Sequence, residues 1–265
     1  MPSYRPQVPG PLRQYISRWE GYDYTLPDQL IHHGLPSTNM TLIFQFDHPV
    51  DAGWDLAATT QMWVLVAGLH TRPALIPTHG SQHGIQVSLT PLGSRAFLEM
   101  PIGALSGEIV SGAQAGQCLR ETHERMSDLD WPSRFRFLTE YFMGRLSHTI
   151  DAPASPELQR AWHLLTHGSS ATVDQAARET GWSRRHLLNR FRSEYGLTPS
   201  ELRRLARFQE ARRLAESGLP LATVAHTAGY ADQAHLTREW SGFADVPPKV
   251  SLAEFPNVQE PLPGQ

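Results

Sequence analysis

Before about residue 90 the apolar positions alternate with polar ones or run together; after residue 154 they recur every three to four residues. The first pattern predicts strands and the second amphipathic helices. Residues 15–24 alternate in part, residues 40–46 (MTLIFQF) make a stronger strand, and residues 63–69 (WVLVAGL) are expected to form a buried run. Residues 82–89 predict a further strand with Ile85, Val87 and Leu89 on one face. Helical spacing follows at about 91–100, 114–126 and 132–147. Strands followed by helices predict an α+β chain, whose residues 1–150 form a β-rich domain that binds an effector or dimerises. The short, proline-bearing stretch IDAPASP predicts a linker over 151–156, ahead of an all-α domain over 157–256.

Caps and stops mark the helices of that second domain. Ser155 with Pro156 opens one that Gly168 closes, and Thr172 with Gln175 makes a capping box for the next, at 173–180. Gly181 supplies its left-handed end, Ser183 caps a helix at 184–195, and Gly196 closes that one. Thr198, Pro199 and Glu201 make a second capping box with proline at the first helical position. The helix it opens ends near Ser217, before Gly218, and its ~19 residues predict a rod of about 28 Å. Pro220 starts a helix at 221–228, Gly229 makes a turn, and Asp232 caps a helix at 233–243. A last helical segment at about 247–255 precedes an expected frayed end at 256–265.

Residues 173–199 and 221–248 are copies of one another. Ala177 aligns with Ala225, Gly181 with Gly229 and Trp182 with Tyr230, at an offset of 48. After one inserted residue, Leu187 aligns with Leu236, Phe191 with Trp240 and Pro199 with Pro248, at an offset of 49. Each copy predicts a short helix, a glycine turn and a longer amphipathic helix. That is the form of a helix-turn-helix unit, whose second helix can lie in a DNA major groove. Leu187 and Phe191 are an inward pair, which leaves Arg184, Arg185, Leu188, Asn189 and Arg192 on the opposite face. Leu236 and Trp240 repeat the pair and leave Gln233, Ala234, Thr237, Arg238 and Ser241. Arginine reads guanine edges, asparagine and glutamine read adenine, and alanine or threonine meets the thymine methyl. Only Arg238 is basic in the second set, so the second unit is expected to hold phosphate less well.

Composition narrows the alternatives. The chain of 265 residues is 40% hydrophobic and 18% charged, room enough for two ordinary soluble domains. No apolar run reaches the ~18 residues of a membrane span, and no signal-peptide pattern opens the chain. Cys118 is the one cysteine; it excludes an internal disulfide framework, is expected to pack within a helix, and fits a cytoplasmic setting. The net charge of −3 hides an asymmetry: residues 154–255 carry 13 Lys+Arg against 11 Asp+Glu, and residues 1–153 carry 10 against 14. Arginines cluster between Arg184 and Arg213, and Lys249 is the one lysine. Guanidinium suits phosphate and guanine.

No nucleophile elbow, phosphate loop or dinucleotide fingerprint is present, so no catalytic residue is assigned and no cofactor or metal is expected. His79 and His83 have helical ligand spacing, but PTHGSQHG has no helical pattern and no glutamate between the two; loop histidines are expected. Trp54, Trp63, His70 and Arg72 are candidates for an effector pocket, since pockets combine aromatic walls with a few polar groups.

The C-terminal hundred residues resemble the AraC/XylS family of bacterial transcription regulators. The likeness rests on AARETGWSRRHLLNRFRSEYGLTPSELRR, ARRLAES and VAHTAGYADQAHLTREWSGFADVPP. It implies a DNA-binding domain of seven helices with two recognition helices in adjacent major grooves. By alignment with that family, base-facing roles fall on Arg185, Leu188, Asn189, Gln233, Ala234, Thr237 and Arg238. Ser241 and Gly242 stand where family members often carry basic residues, which weakens the expected phosphate anchor. DNA-repair methyl acceptors share this module, but they need a cysteine cluster that Cys118 alone does not supply. The stretch HGIQVSLTPLGSRAFLEMPIGALSGEIV resembles, more loosely, an uncharacterised domain that precedes the module in some regulators. Together these imply promoter DNA as a partner, with a small effector, a homodimer and RNA polymerase as further expected partners.

Overall fold

Strand patterning in the first half produces one large antiparallel sheet. The computed structural model describes residues 3–25, 30–148, 154–167 and 171–253. Gly168, the linker positions 151–153 and the expected frayed end lie outside the described residues. Two units result: Met1–His32, Asn39–Gly68 and Ala74–Pro153 form one, and His33–Thr38, Leu69–Pro73 and Ala154–Gln265 form the other.

The strands are β1 (Ser3–Tyr4), β2 (Ile16–Thr25), β3 (Ile31–Gly34), β4 (Met40–Gln45), β5 (Val50–Ala52), β6 (Thr60–Met62), β7 (Val64–Ala67), β8 (Ala74–Pro77), β9 (Ser81–Leu89) and β10 (Ile109–Ser111). Six of them make a sheet in the order β1-β2-β9-β4-β7-β10, while β5 pairs with β6 and β3 with β8. Helices α1 (Pro91–Leu98), α2 (Gly112–Ala115), α3 (Gln117–Met126) and α4 (Trp131–His148) complete the first unit. Thr90 starts α1 by accepting the Gly93 N–H at 3.1 Å, with Pro91 at the first helical position.

The two faces of the sheet are buried differently. Trp19, Val87, Leu42 and Val66 stand side by side across β2, β9, β4 and β7, all nearly inaccessible. Phe135 of α4 meets Trp19 edge-on at 5.3 Å, and Phe142 of α4 meets Phe97 of α1 at 4.5 Å. Burying such side chains is the main stabilisation here, about 1.5–3 kcal/mol each. Gly21 lets α4 come close, because a Cβ there would lie 2.5 Å from the Trp131 indole. On the other face Leu65 and Ala67 pack with Val50, Ala52, Met62 and Ile76.

Four expectations need correction. The run at 63–69 is buried only from Val64 onward; Trp63 sits between β6 and β7 with 46% of its surface exposed. The helix expected at 114–126 begins earlier, on a capping box between Ser111 and Gln114, and Gly116 breaks it into α2 and α3 with extended backbone. Cys118 does not pack: Leu119 and Thr122 take the inward face of α3, and the thiol is exposed. His83 is on a strand rather than a loop, and it receives a hydrogen bond from Arg134 at Nε2 (2.7 Å) while Nδ1–H donates to Asp47 at 3.0 Å. His79 is held by a different carboxylate, Asp51, at 2.6 Å.

The second unit contains seven helices among the described residues: α5 (Pro156–His167), α6 (Val173–Thr180), α7 (Arg184–Tyr195), α8 (Pro199–Glu216), α9 (Leu221–Thr227), α10 (Gln233–Ala244) and α11 (Pro248–Ala253). Trp162 of α5 packs on Phe191 and Tyr195 of α7, and Phe208 of α8 packs on Trp240 and Phe243 of α10. Thr38, from an early segment of this unit, donates its N–H to Gln209 Oε1 on α8 at 2.9 Å. Among the described residues no helix is long and apolar enough to cross a membrane.

Candidate nucleic-acid interface

The repeat in the sequence is a repeat of hydrogen bonds. At the end of α6 the Trp182 N–H reaches back to the Ala177 carbonyl at 3.0 Å, and at the end of α9 the Tyr230 N–H reaches the Ala225 carbonyl at 2.8 Å. Gly181 and Gly229 make both turns with left-handed backbone, φ 70° and 78°. Ser183 then caps α7 by accepting the His186 N–H at 3.2 Å, and Asp232 caps α10 by accepting the His235 N–H at 2.6 Å. The helices also end alike: the N–H of Gly196 bonds the Arg192 carbonyl and that of Asp245 the Ser241 carbonyl, each at 2.9 Å. Asp245 holds the left-handed φ of 63° that a glycine holds in the first copy. The Thr198–Glu201 capping box of α8 is complete, whereas Thr172 makes only its own half, to the Gln175 N–H.

Each second helix divides into a buried and an open face. Leu187, Phe191 and Tyr195 of α7, and Leu236, Trp240 and Phe243 of α10, are essentially inaccessible. On α7, Arg184, Arg185, Asn189 and Arg192 are exposed and Leu188 is half-buried. On α10, Gln233, Ala234 and Arg238 are exposed, with Thr237 and Ser241 half-buried. The ten expected DNA-contacting residues thus gather on two like faces, one per unit, and none of them is in the core. Thr237 turns its hydroxyl back to the Gln233 carbonyl at 2.9 Å.

Charge on the two faces is unequal. Arg184 is paired with Asp174 of α6 at 2.8 Å, but Arg185, Arg190, Arg192 and Arg238 are exposed and meet no acidic side chain among the described residues. Several other arginines of the cluster are engaged within the unit. Arg212 is buried against Glu216, Arg213 pairs with Glu210, and Arg204 and Arg207 both donate to Glu239 of α10 at 2.7 Å. Burial pushes the Glu239 carboxyl up, but the hydrogen bonds from Arg207 and Arg204 outweigh it and hold it below the ordinary glutamate value. Arg207 also lies over the Tyr230 ring at 4.4 Å, and burial pushes that phenol up to about 12. This clasp between α8 and α10 is not legible in the sequence, where Glu239 lies between Arg238 and Trp240 with nothing local to mark its partners. The i,i+3 spacing of Arg204 and Arg207 is the one local sign of a shared partner.

The four candidate effector residues are divided between the units. Trp54 and Trp63 belong to the first; Trp63 lines a cleft from which Trp54 is absent. His70 and Arg72 belong to the second, where the His70 Nδ1–H donates to the Arg72 carbonyl at 2.6 Å. Burial pushes the His70 imidazole down to about 4, so it is neutral at pH 7.

Comparison with known proteins agrees with the helical geometry. Residues 176–252 match a family model described as a helix-turn-helix domain, and residues 4–111 match one described as a domain of unknown function, DUF6597. An uncharacterized HTH-type transcriptional regulator of Bacillus subtilis, YbfI, is 31% identical over 70 residues, which is 26% of this chain and 26% of YbfI. The chain therefore spans about a quarter of the length of that curated relative. ToxT of Vibrio cholerae matches 91% of this chain and 99% of its own at 11% identity, with a TM-score of 0.56, and its unsaturated-fatty-acid-bound form matches 92% and 98% at 12% identity with the same score. At such identity the likeness is one of fold, a β-rich N-terminal region followed by a helical C-terminal one. The C-terminal region of this chain is therefore a helix-turn-helix domain.

Proposed function

We propose that this chain is a transcription regulator that binds promoter DNA through α7 and α10, set in successive major grooves. The observation that carries this reading is the repeated open face. Two helices with equivalent capping bonds and equivalent inward pairs present arginine, asparagine and glutamine outward, the side chains that read base edges. Between the two units runs α8, 18 residues and so about 27 Å, comparable with the ~34 Å that separates successive major-groove faces. Arg190 and Arg192 supply phosphate affinity, while the faces of both helices, Arg185 and Arg238 included, choose the sequence.

The first unit carries regulation in this proposal. A small effector bound there biases the arrangement of the chain or of a homodimer, and so changes DNA affinity or contact with RNA polymerase in the cytoplasm. ToxT, which shares the fold, has been crystallised with an unsaturated fatty acid bound.

Selection of bound duplexes from a random library with the full chain, at ~150 mM salt, tests the reading directly. The expected product is a site with two informative patches about 10 base pairs apart. Arg185→Ala should then relax one patch and Arg238→Ala the other. Binding no tighter than to random duplex, with and without candidate effectors, would sink the proposal.

A further inference from the structure

A cleft of about 540 Å³ opens in the first unit where the junction of β6 and β7 meets α2 and α3. That volume falls within the range of small-molecule sites. Its walls are held rigidly. The Trp63 carbonyl accepts the Gln45 N–H at 2.9 Å, which pins the backbone while the indole stays half exposed to the cleft. The His123 Nε2–H donates to the Gln45 carbonyl, so the imidazole is fixed at 5.7 Å from the indole and parallel to the Phe46 ring at 5.9 Å. Arg134 covers Phe46 at 3.6 Å from the ring centroid and is itself held by the Met126 and Ser127 carbonyls. An aromatic wall kept half open to solvent by a fixed backbone suits a flat ligand.

Charge at the rim says more. Arg120 and Glu124 stand one turn apart on α3 and both line the cleft. Their closest N···O distance is 3.6 Å, longer than a hydrogen bond, and each side chain is 61% exposed. An exposed pair of this kind is weak and yields easily to better partners. A guanidinium and a carboxylate side by side in a cleft with an aromatic wall complement a carboxylate and an ammonium carried on one carbon, one methylene away from an aromatic ring.

We propose that this cleft binds an aromatic α-amino acid as its zwitterion. The ring lies against Trp63 and His123, the carboxylate takes the Arg120 guanidinium, and the ammonium faces Glu124. The site deepens the reading of the first unit as the effector-bearing part and rests on that reading for its regulatory meaning, though not for binding itself.

Isothermal titration of the full chain with L-phenylalanine, without DNA, tests it. Saturable binding is expected, and Trp63→Ala, Arg120→Gln and Glu124→Gln should each weaken it about tenfold or more, whereas Trp63→Phe should restore most of it. All of these positions are exposed, so thermal unfolding of the variants should match the parent. N-acetyl-L-phenylalanine and L-phenylalaninamide, which lack one charge each, should bind about tenfold more weakly. No saturable heat up to roughly 10 mM, or binding indifferent to Trp63→Ala, overturns the site. Equal binding of the N-acetyl compound overturns the pairing with Glu124. A chain that takes L-phenylalanine but selects no DNA keeps the site and loses the regulator; one that selects DNA but takes no L-phenylalanine does the reverse.

Discussion

The two helix-turn-helix units share their hydrogen bonds and differ in what surrounds them. In the first, α7 carries Arg184, Arg185, Arg190 and Arg192 outward and packs on α5 through Trp162. In the second, α10 carries one arginine, Arg238, exposed and without an acidic partner among the described residues, and Glu239 is drawn inward onto Arg204 and Arg207 of α8. The same backbone thus serves two ends. On the proposed reading the first offers more free charge to phosphate, while the second commits Glu239 to fastening α10 to α8. A duplicated motif need not divide its work equally, and the division is visible in which arginines are already paired.

The cores give the largest contrast to break. Phe191→Ala and Trp240→Ala remove equivalent buried rings and should each cost about 3–5 kcal/mol in denaturant unfolding of the full chain. Trp240→Phe should change stability by no more than about 1 kcal/mol, because the buried indole Nε1 has no hydrogen-bond partner among the described residues and phenylalanine is what the first copy uses. A large loss on Trp240→Phe would mean that the two cores are not interchangeable.

The clasp comes next. Glu239→Ala should cost about 1–3 kcal/mol, since it leaves Arg207 half-buried without its carboxylate. The Glu239 carboxyl lies below the ordinary glutamate value, so its contribution is complete at neutral pH and is lost as the pH falls through the folded value. Unfolding curves from pH 7 to 3 should therefore fall less steeply for Glu239→Gln than for the parent, with both close together at the acid end.

On DNA, Arg185→Ala and Arg238→Ala should each cost about 1–3 kcal/mol on the selected site, and each should relax a different patch. Arg190→Gln and Arg192→Gln should lower the dependence of log affinity on log salt by about one each without changing the sequence preferred. A drop in specificity from either would place that arginine on a base edge. The smallest effects sharpen the comparison from the other side. Gly242 is exposed within α10, with open space where a Cβ would go, and Asp245 holds a left-handed backbone where the first copy has Gly196. Gly242→Ala and Asp245→Gly should each raise stability by about 0.5–1 kcal/mol.

What could be read from the chain followed distance along it. Caps, glycine turns and inward pairs lie within four residues of what they organise, so Ser183, Gly181 and Leu187 with Phe191 announce themselves. Trp63 does not, because WVLVAGL looks uniformly apolar and only the cleft beside it decides that the first residue is exposed. Glu239 is silent for the same reason: its partners are 32 and 35 residues away. The segments His33–Thr38 and Leu69–Pro73 look like loops of the β-rich part, and nothing in them signals that they fold with the helical unit. Gly116 is visible as a glycine, but a single one inside a helical pattern is tolerated often enough that it does not announce a break.

The central helix has a history implied in its length. It begins on a complete capping box and ends where Gly218 turns left-handed, with no slack at either end. Adding or removing one residue would turn everything after it by about 100° and shift it by about 1.5 Å. On the proposed reading, the open face of α10 would then look away from the duplex that α7 holds. Relatives that bind DNA in this proposed way should therefore differ from this chain in the letters of α8's open surface outside the Arg204–Arg207 clasp, but not in its number of residues.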